Sequence, residues 1–128
     1  MMTLKEYLES VQGLPFKWGV NDCYKLVANW IDICYPSNNL PKFEYNTKLE
    51  ASQINQKFSW AIEIKKHFNF EMVNLPINGD LLILKENWQC AYLVFDSKIW
   101  SVYLGASLAG VPLFASEGAA YCRLKGVK

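Results

Sequence analysis

The sequence predicts one α+β domain, residues 1–128, in which N-terminal helices pack on a C-terminal antiparallel β-sheet. Three observations support this fold class. The chain has 128 residues, the length of one ordinary domain. Apolar residues recur at helical spacing in its first half, whereas after Pro76 they form short runs divided by turn signals. Helices followed by strands, rather than alternating with them, are typical of α+β domains.

Two amphipathic helices are predicted near the N-terminus. Residues 3–6, Thr-Leu-Lys-Glu, fit a capping box, and the first helix should stop at Gly13 and Pro15. Its apolar stripe is Leu4, Tyr7, Leu8 and Val11. The second helix should begin near Asn21, a good N-cap residue, and run to about Cys34. Its apolar stripe is Cys23, Val27, Trp30, Ile31 and Cys34.

The remainder should contain one more helix and five strands. Residues 36–49 form a polar, irregular stretch, and a third helix is expected from about Glu50 to His67. The expected strands are Leu81–Leu84, Cys90–Phe95, Ile99–Tyr103, Val111–Ala115 and Ala120–Lys125. Turns are expected at Glu86-Asn87 and Asp96-Ser97. The run Gly105–Pro112 is expected to be a loop that either docks against another subunit or covers the open end of the sheet.

Composition and charge exclude several function classes. Thirteen basic and twelve acidic residues leave a net charge of +1, so no strong field draws the chain to nucleic acid or to an anionic membrane. Arg123 is the only arginine, which also argues against base-specific DNA recognition. The longest apolar stretch, Val102–Ala115, is interrupted by glycine and proline and is shorter than the ~20 residues that span a bilayer.

The N-terminus and the cysteines lead to further expectations. Residues 1–6 lack the apolar core of a signal peptide, so synthesis in a cytosol with reduced thiols is expected. The four cysteines form no C-x-x-C pair, and the chain has one histidine. A structural zinc site is therefore not predicted, and no cofactor is expected.

The segment Pro15–Cys23 carries the main chemical signal. An aromatic-rich turn that contains Gly19 delivers Cys23 into the first turn of an apolar helix. A helix N-terminus stabilises an anion and lowers the pKa of a thiol, which is the placement that a cysteine nucleophile needs. The alternative interpretation is packing, with a small thiol buried beneath Trp18 and Trp30.

Several segments resemble one protein family. The order Trp-Gly-Val-Asn-Asp-Cys over residues 18–23 resembles the start of the nucleophile helix in NlpC-type cell-wall peptidases, which have a papain-like fold. Pro76–Leu84 resembles their Pro–Gly–Asp strand opening, and Cys90–Asp96 resembles the strand that begins with their histidine. Tyr121–Leu124 resembles the closing aromatic–Arg strand of a divergent branch that is common in phages and prophages. The resemblance covers about residues 13–125.

The resemblance implies roles for individual residues. Cys23 matches the nucleophile, and Asp22 matches the acidic neighbour of the family's motif. The general base of the family is a histidine at the start of the second strand, and this position falls on Gln89 or Cys90. Neither an amide nor a thiol acts as imidazole does, so the resemblance implies a site without its usual base.

Two further positions concern the general base: one would orient it, and the other is a candidate to replace it. The polar residue that orients the histidine in the family would fall near Trp100 or Ser101. His67, the only histidine, follows two lysines at the end of the third predicted helix. It is either a solvated residue that suits the negative end of the helix dipole, or a substitute base that reaches across to Cys23.

Asp80 and the tryptophans each have two interpretations. Asp80 follows Gly79 and either holds the turn before the strand or stands in an active-site groove. The tryptophans either pack in the core or stack on sugar or peptide ligands. The residues concerned are Trp18, Trp60, Trp88 and Trp100.

The missing histidine and the resemblance together imply a catalytically degenerate NlpC-like domain that serves as a phage virion or tail-assembly component. The expected partners are other phage tail proteins in a multi-copy assembly, with peptidoglycan as a further candidate. The expected location is the host cytoplasm during synthesis and then the virion. The alternative is an active cysteine hydrolase, a peptidoglycan endopeptidase or amidase that uses Cys23. A third interpretation is a module that binds a small ligand or peptide in the remnant groove.

Overall fold

Four helices and a six-stranded antiparallel sheet make up residues 2–84, 87–113 and 119–128, the parts of the chain that the computed structural model describes. The helices are α1 Leu4–Val11, α2 Cys23–Cys34, α3 Lys48–Asn55 and α4 Trp60–His67. The strands are β1 Phe68–Val73, β2 Leu81–Leu84, β3 Asn87–Phe95, β4 Lys98–Val102, β5 Leu108–Pro112 and β6 Ala119–Val127. Their order in the sheet is β1-β6-β2-β3-β4-β5. The predicted α+β class is confirmed.

The first helix begins at the predicted capping box. The Thr3 hydroxyl accepts a hydrogen bond from the Glu6 N–H at 3.2 Å, and the Glu6 carboxylate accepts one from the Thr3 N–H at 3.0 Å. The Tyr7 hydroxyl donates to the Leu26 carbonyl oxygen at 2.6 Å and so ties α1 to α2. The side chains that α1 buries are Leu4, Tyr7 and Leu8.

The second helix begins at Cys23, with Asp22 as its N-cap; the prediction that Asn21 caps it is wrong. The Asp22 carboxylate accepts a hydrogen bond from the Lys25 N–H, whereas the Asn21 amide donates to backbone carbonyls of the preceding loop. α2 packs against β3 and β4. It buries Leu26, Val27, Trp30 and Ile31. The predicted stripe missed Leu26, and its two terminal cysteines are only half-buried.

The predicted helix from Glu50 to His67 is in fact two helices, α3 and α4, separated by residues 56–59. Phe58 and Trp60 are both buried in the core. In one continuous helix these two side chains would lie about 200° apart and could not face the same core. The break lets both face inward, and Ser59 caps α4 by accepting a hydrogen bond from the Ile62 N–H at 3.4 Å.

The sheet begins earlier in the chain than predicted, because β1 follows α4 directly, whereas strands were expected only after Pro76. β1 pairs antiparallel with β6, the last strand of the chain. Phe68, Phe70 and Met72 alternate with Asn69 and Glu71, which is the period of a strand. Val73 follows Asn69 and Glu71 on the polar face but is apolar, which weakens this pattern.

The run Gly105–Pro112 is only partly a loop. Its second half forms β5, which pairs with β4 and makes the edge of the sheet opposite β1. Gly110 lies against the indole of Trp100, and a Cβ at this position would come within 2.7 Å of the ring. The strand expected at Val111–Ala115 thus starts three residues earlier, and residues 114 and 115 lie outside the described residues.

The turn predicted at Asp96-Ser97 is confirmed. It joins β3 to β4, and both residues have positive φ, 53° and 57°, as two-residue hairpin turns require. Of the other predicted turn, Glu86 lies outside the described residues and Asn87 belongs to β3.

The sheet buries apolar side chains on both faces, because successive residues of a strand point to opposite sides. Leu81 and Leu93 belong to the main core beneath the helices. Leu82, Val94 and Ile99 form a second buried cluster on the reverse face. The side chains packed around this second cluster are Tyr92, Leu113 and Tyr121.

Candidate functional site

Cys23 is the first residue of α2 and is half-buried. Its position in the first turn of the second helix was predicted and is confirmed. The N-terminal turn of a helix stabilises a nearby negative charge. α2 packs on β3, the strand that contains Gln89 and Cys90, the residues predicted at the position of the base. The side chains of Gln89 and Cys90 lie outside the described part of the structure.

A cavity of only about 30 Å³ lies beside Cys23. A volume of this size holds about one or two water molecules. The side chains that line it with Cys23 are Trp18, Asp22, Tyr24, Tyr45, Ala51, Ile54 and Asn55. Three of these residues belong to α3, so that helix forms one wall of the cavity beside the thiol.

Asp22 is 1% exposed, and both of its carboxylate oxygens accept hydrogen bonds. Oδ1 accepts from the Lys25 N–H at 2.8 Å. Oδ2 accepts from the Gly19 N–H at 2.8 Å and from the Tyr45 hydroxyl at 2.6 Å. The acidic neighbour of the cysteine therefore caps α2 and fixes both the preceding loop and residue 45.

Gly19 is required for the close approach of Tyr45. Its φ of +77° lies in the left-handed region, and a Cβ at this position would lie 1.6 Å from the carbonyl oxygen of Tyr45. No side chain fits there without a backbone shift. The Trp-Gly-x-x-Asp-Cys pattern thus builds a clamp on residue 45 in addition to placing the thiol; we call Gly19, Asp22 and Tyr45 the loop clamp.

Two tyrosines that were not predicted to belong to the site lie near Cys23. Burial raises the pKa of Tyr45 well above its usual range, and the hydrogen bond to Asp22 and the negative charges of Asp22 and of a Cys23 thiolate add to this. Burial also raises the pKa of Tyr103, again with a contribution from Cys23. Both phenols are therefore protonated at neutral pH. They are distant from Cys23 in the chain, and no spacing signal could have revealed them.

His67 is the last residue of α4, and its Nε2 lies 3.2 Å from Oε2 of Glu63, one turn earlier. Both side chains are 17% exposed. The Lys128 N–H also donates to the His67 carbonyl oxygen at 2.9 Å. The expectation of a solvated helix-end histidine is wrong, because the imidazole is largely buried and lies against a carboxylate of its own helix.

Asp80 holds the turn before β2, as one interpretation predicted, and it also forms a bidentate ion pair that was not predicted. Its carboxylate accepts from the Ile77 N–H at 2.8 Å. Arg123 on β6 donates Nε to Oδ1 at 3.0 Å and Nη2 to Oδ2 at 2.9 Å. A cleft of about 260 Å³ lies between this pair and α2, lined also by Trp30 and Tyr35.

Two of the four tryptophans serve packing. Trp60 is buried in the core, and the Trp100 indole donates Nε1–H to the Phe95 carbonyl oxygen at 2.9 Å. Trp18 lies edge-on against Phe16 and lines the cavity beside Cys23. The Trp88 side chain lies outside the described residues.

The residues expected to orient a histidine do not serve this purpose. Ser101 lies in β4 between Trp100 and Val102, both of which pack in the core under the helices. Alternate residues of a strand face opposite sides, so Ser101 points to the reverse face, away from α2. The Trp100 indole N–H is engaged by the backbone.

A family model described as a domain of unknown function, DUF6950, matches residues 2–119. The chain belongs to this family. The matched range includes Cys23, the loop clamp and the turn at Asp80, whereas Arg123 lies beyond it. No curated protein and no solved structure matches the chain.

Two features are absent from the described ranges, residues 2–84, 87–113 and 119–128. No three His, Cys, Asp or Glu side chains there come together as metal ligands. No helix in these ranges is both long enough and apolar enough to cross a bilayer. The polar side chains that line the cavity beside Cys23 are the Asp22 carboxylate, the phenols of Tyr24 and Tyr45, and the Asn55 amide.

Proposed function

We propose that this chain is a structural component of a phage virion, assembled with other tail proteins, on an NlpC-like fold without hydrolase activity. A cysteine at the first residue of a helix that packs on an antiparallel sheet supports the fold, since NlpC-type peptidases carry their nucleophile in this place. The resemblance to the phage-associated branch supports the tail context. The protein is made in the host cytoplasm and then enters the virion.

The proposed lack of hydrolase activity depends on the residues found at the position of the general base. A cysteine needs an adjacent base or cation to act as an efficient acyl-transfer nucleophile. The only histidine of the chain, His67, lies against Glu63 on α4. The strand position that the family gives to its histidine is taken by Gln89 or Cys90. An amide does not accept a proton at neutral pH, and a thiol is a poor substitute for imidazole.

The two phenols and the carboxylate described near Cys23 do not replace the base. The phenols of Tyr45 and Tyr103 have raised pKa values and are protonated at neutral pH, so neither can accept the thiol proton. The Asp22 carboxylate accepts three hydrogen bonds that hold the fold. These contacts favour a thiol that contributes to packing at the helix start over one that takes part in turnover.

A second candidate is an active cysteine hydrolase that cleaves peptidoglycan with Cys23 as nucleophile. One observation favours it: the thiol stands at the positive end of the α2 dipole and is only half-buried. Trp18 beside it offers an aromatic surface of the kind on which sugars and peptides stack. This candidate makes peptidoglycan the substrate, whereas the structural proposal makes tail proteins the partners.

The deciding experiment is phage complementation with the Cys23→Ala variant. A phage that encodes the chain is propagated with this variant, and infectious particles and assembled tails are counted. The matched control is Cys34→Ala, which removes a half-buried thiol from the other end of the same helix. We expect near-normal yields from both variants. Assembled tails with a large loss of infectivity for Cys23→Ala alone would overturn the proposal.

A second measurement uses the purified full chain with peptidoglycan and follows the release of soluble fragments. The Cys23→Ala variant is the blank. We expect no release above this blank. Fragment release that the substitution abolishes would overturn the structural proposal and support the hydrolase.

A further inference from the structure

We propose that two copies of this chain associate through β1, whose outer edge pairs antiparallel with β1 of the second copy around Phe70. The two strands would join the two sheets into one continuous sheet. This interface does not involve Cys23 and does not rest on the proposed function.

Within the described ranges, the outer edge of β1 is not covered by another strand. β1 is the terminal strand of the sheet and pairs with β6 along its inner edge. No strand within the described ranges pairs with its outer edge. Residues 69–72 are all exposed, including the large apolar side chains Phe70 and Met72. Such an edge presents unpaired N–H and C=O groups and is a ready template for another strand.

The opposite edge of the same sheet is protected, and β1 is not. β5 contains Gly110 and Pro112, and proline has no N–H to donate to an added strand. β1 contains neither proline nor lysine. Its only charged residue is Glu71, which lies 3.0 Å from the Lys125 ammonium and 3.6 Å from the Arg123 guanidinium. An approaching strand therefore meets no isolated charge on β1.

An apolar groove of about 220 Å³ runs between β1 and α4. Its apolar lining includes Ala61, Ile64, Phe70, Met72, Ile83 and Cys122. Met72 is 55% exposed, so the single chain leaves a large apolar side chain in water beside the open edge. A strand added to β1 would bring side chains over this groove and remove that surface from water.

The sequence of β1 is complementary to itself in an antiparallel pair. The strand that pairs with the outer edge of β1 is therefore β1 of a second copy. In an antiparallel pair centred on Phe70, each Phe70 faces the Phe70 of the other copy, and the exposed Met72 lies opposite Phe68, whose side chain is already buried in its own core. On the reverse face Asn69 lies opposite Glu71, so an amide can donate to a carboxylate. Apolar residues thus meet apolar ones on one face, and polar residues meet polar ones on the other.

The neighbouring registers are less favourable. A shift by one residue would turn apolar side chains to the polar face. A shift that centres the pair on Glu71 places two carboxylates directly opposite each other, which is destabilising. A register whose centre moves from Phe70 toward Phe68 leaves fewer residues of β1 paired. The arrangement of Phe68, Phe70 and Glu71 therefore specifies one register.

The first test measures the mass of the full chain in solution by sedimentation over a range of concentrations. We expect a reversible dimer. Phe70→Asp should abolish it, because two carboxylates would face each other at the centre of the interface. The matched control is Val111→Asp on the other edge strand, since Val111 is 39% exposed and Phe70 is 36% exposed. This control should still dimerise.

The second test examines the register at the exposed position 69, where substitutions leave the core intact. Asn69→Lys places an ammonium opposite Glu71 of the other copy, and Asn69→Glu places a carboxylate there. We expect the dimer dissociation constant to fall roughly threefold to tenfold for the first and to rise by a similar factor for the second.

Three outcomes would overturn the proposal. One is a monomer at every concentration, including a monomer that uses β1 only to bind a different protein. Another is a dimer that Val111→Asp disrupts while Phe70→Asp does not. The third is a dimer whose dissociation constant is the same in both Asn69 variants. If Phe70→Asp does not fold, the Asn69 variants alone decide.

Discussion

Arg123 donates Nε and Nη2 to the two carboxylate oxygens of Asp80 and so joins β6 to the turn that precedes β2. Asp80 is 2% exposed, whereas the Arg123 side chain is 25% exposed. The hydrogen bond that Arg123 donates to Asp80 raises the pKa of Arg123, and the charges of Asp80 and Glu71 add to this. The guanidinium is thus the main partner of a carboxylate that has little contact with water.

We expect Arg123→Leu to lower the free energy of unfolding by more than the loss of a surface ion pair does, because it leaves the buried Asp80 carboxylate without its bidentate partner. The Arg123 side chain is partly in water, so the cost should stay below that of breaking a fully buried pair. Urea unfolding measures the change. The control is Lys125→Leu, which breaks a half-exposed pair with Glu71 and should cost under about 1 kcal/mol. Equal costs for the two variants would contradict the assigned role of Arg123.

The loop clamp leads to a second prediction, based on two glycines with similar backbone conformations. Gly19 and Gly13 have φ of +77° and +82°, but only Gly19 lies against other atoms. Gly13→Ala should therefore cost roughly 1–2 kcal/mol for its positive φ alone. Gly19→Ala should cost about 4 kcal/mol or more, because the Tyr45 backbone must also move. Thermal or urea unfolding of both variants checks this, and similar costs would rule out the clamp.

The elements predicted correctly from the sequence are those that local chemistry determines. The Thr3–Glu6 capping box starts α1 because both partners lie within one turn. Cys23 lies at a helix start because Asp22 caps an apolar helical repeat that follows a loop with Gly19. The Asp96-Ser97 turn follows from its residue types. Each of these signals involves neighbours in the chain, so a single sequence contains them.

What the sequence does not reveal depends on contacts between distant segments. Tyr45 joins the site through Asp22, and Arg123 reaches Asp80 across the sheet; neither pairing has a spacing rule. The break before α4 follows from the burial of both Phe58 and Trp60, and helical periodicity alone favoured one long helix. β1 is a strand because β6 pairs with it, and β6 lies far from β1 in the sequence.

A third prediction concerns stability in alkaline solution. Burial raises the pKa of Cys122 from 9.0 to about 11, and the charge of Asp80 adds to this. A thiol with a higher pKa in the folded state binds its proton more tightly there, so its contribution to stability is complete below pH 9. This contribution is lost as the pH rises through 11. The loss amounts to roughly 2–3 kcal/mol from this group.

Urea unfolding of the wild-type chain and of Cys122→Ala between pH 8 and pH 11 tests this. The variant should be less stable at pH 8, because it loses buried volume, but its stability should fall less steeply above pH 9. The tyrosines ionise in both proteins, so the difference between the two slopes reports on Cys122. Parallel slopes would show that the thiol is not the group involved.

The last prediction concerns the reactivity of Cys23 toward iodoacetamide and tests the assignment of His67. In a cysteine–histidine pair the imidazolium keeps the thiolate populated in weak acid, and labelling stays fast there. Because His67 lies against Glu63, we expect labelling of Cys23 to be slow at pH 6 and to accelerate about tenfold per pH unit up to pH 8, as for a thiol whose thiolate is not stabilised by an imidazolium. Peptide mapping by mass spectrometry follows each cysteine separately. The His67→Gln variant should leave the Cys23 rate unchanged at every pH. Fast labelling at pH 6 that this substitution abolishes would make His67 the base after all, and the hydrolase would then replace the structural role.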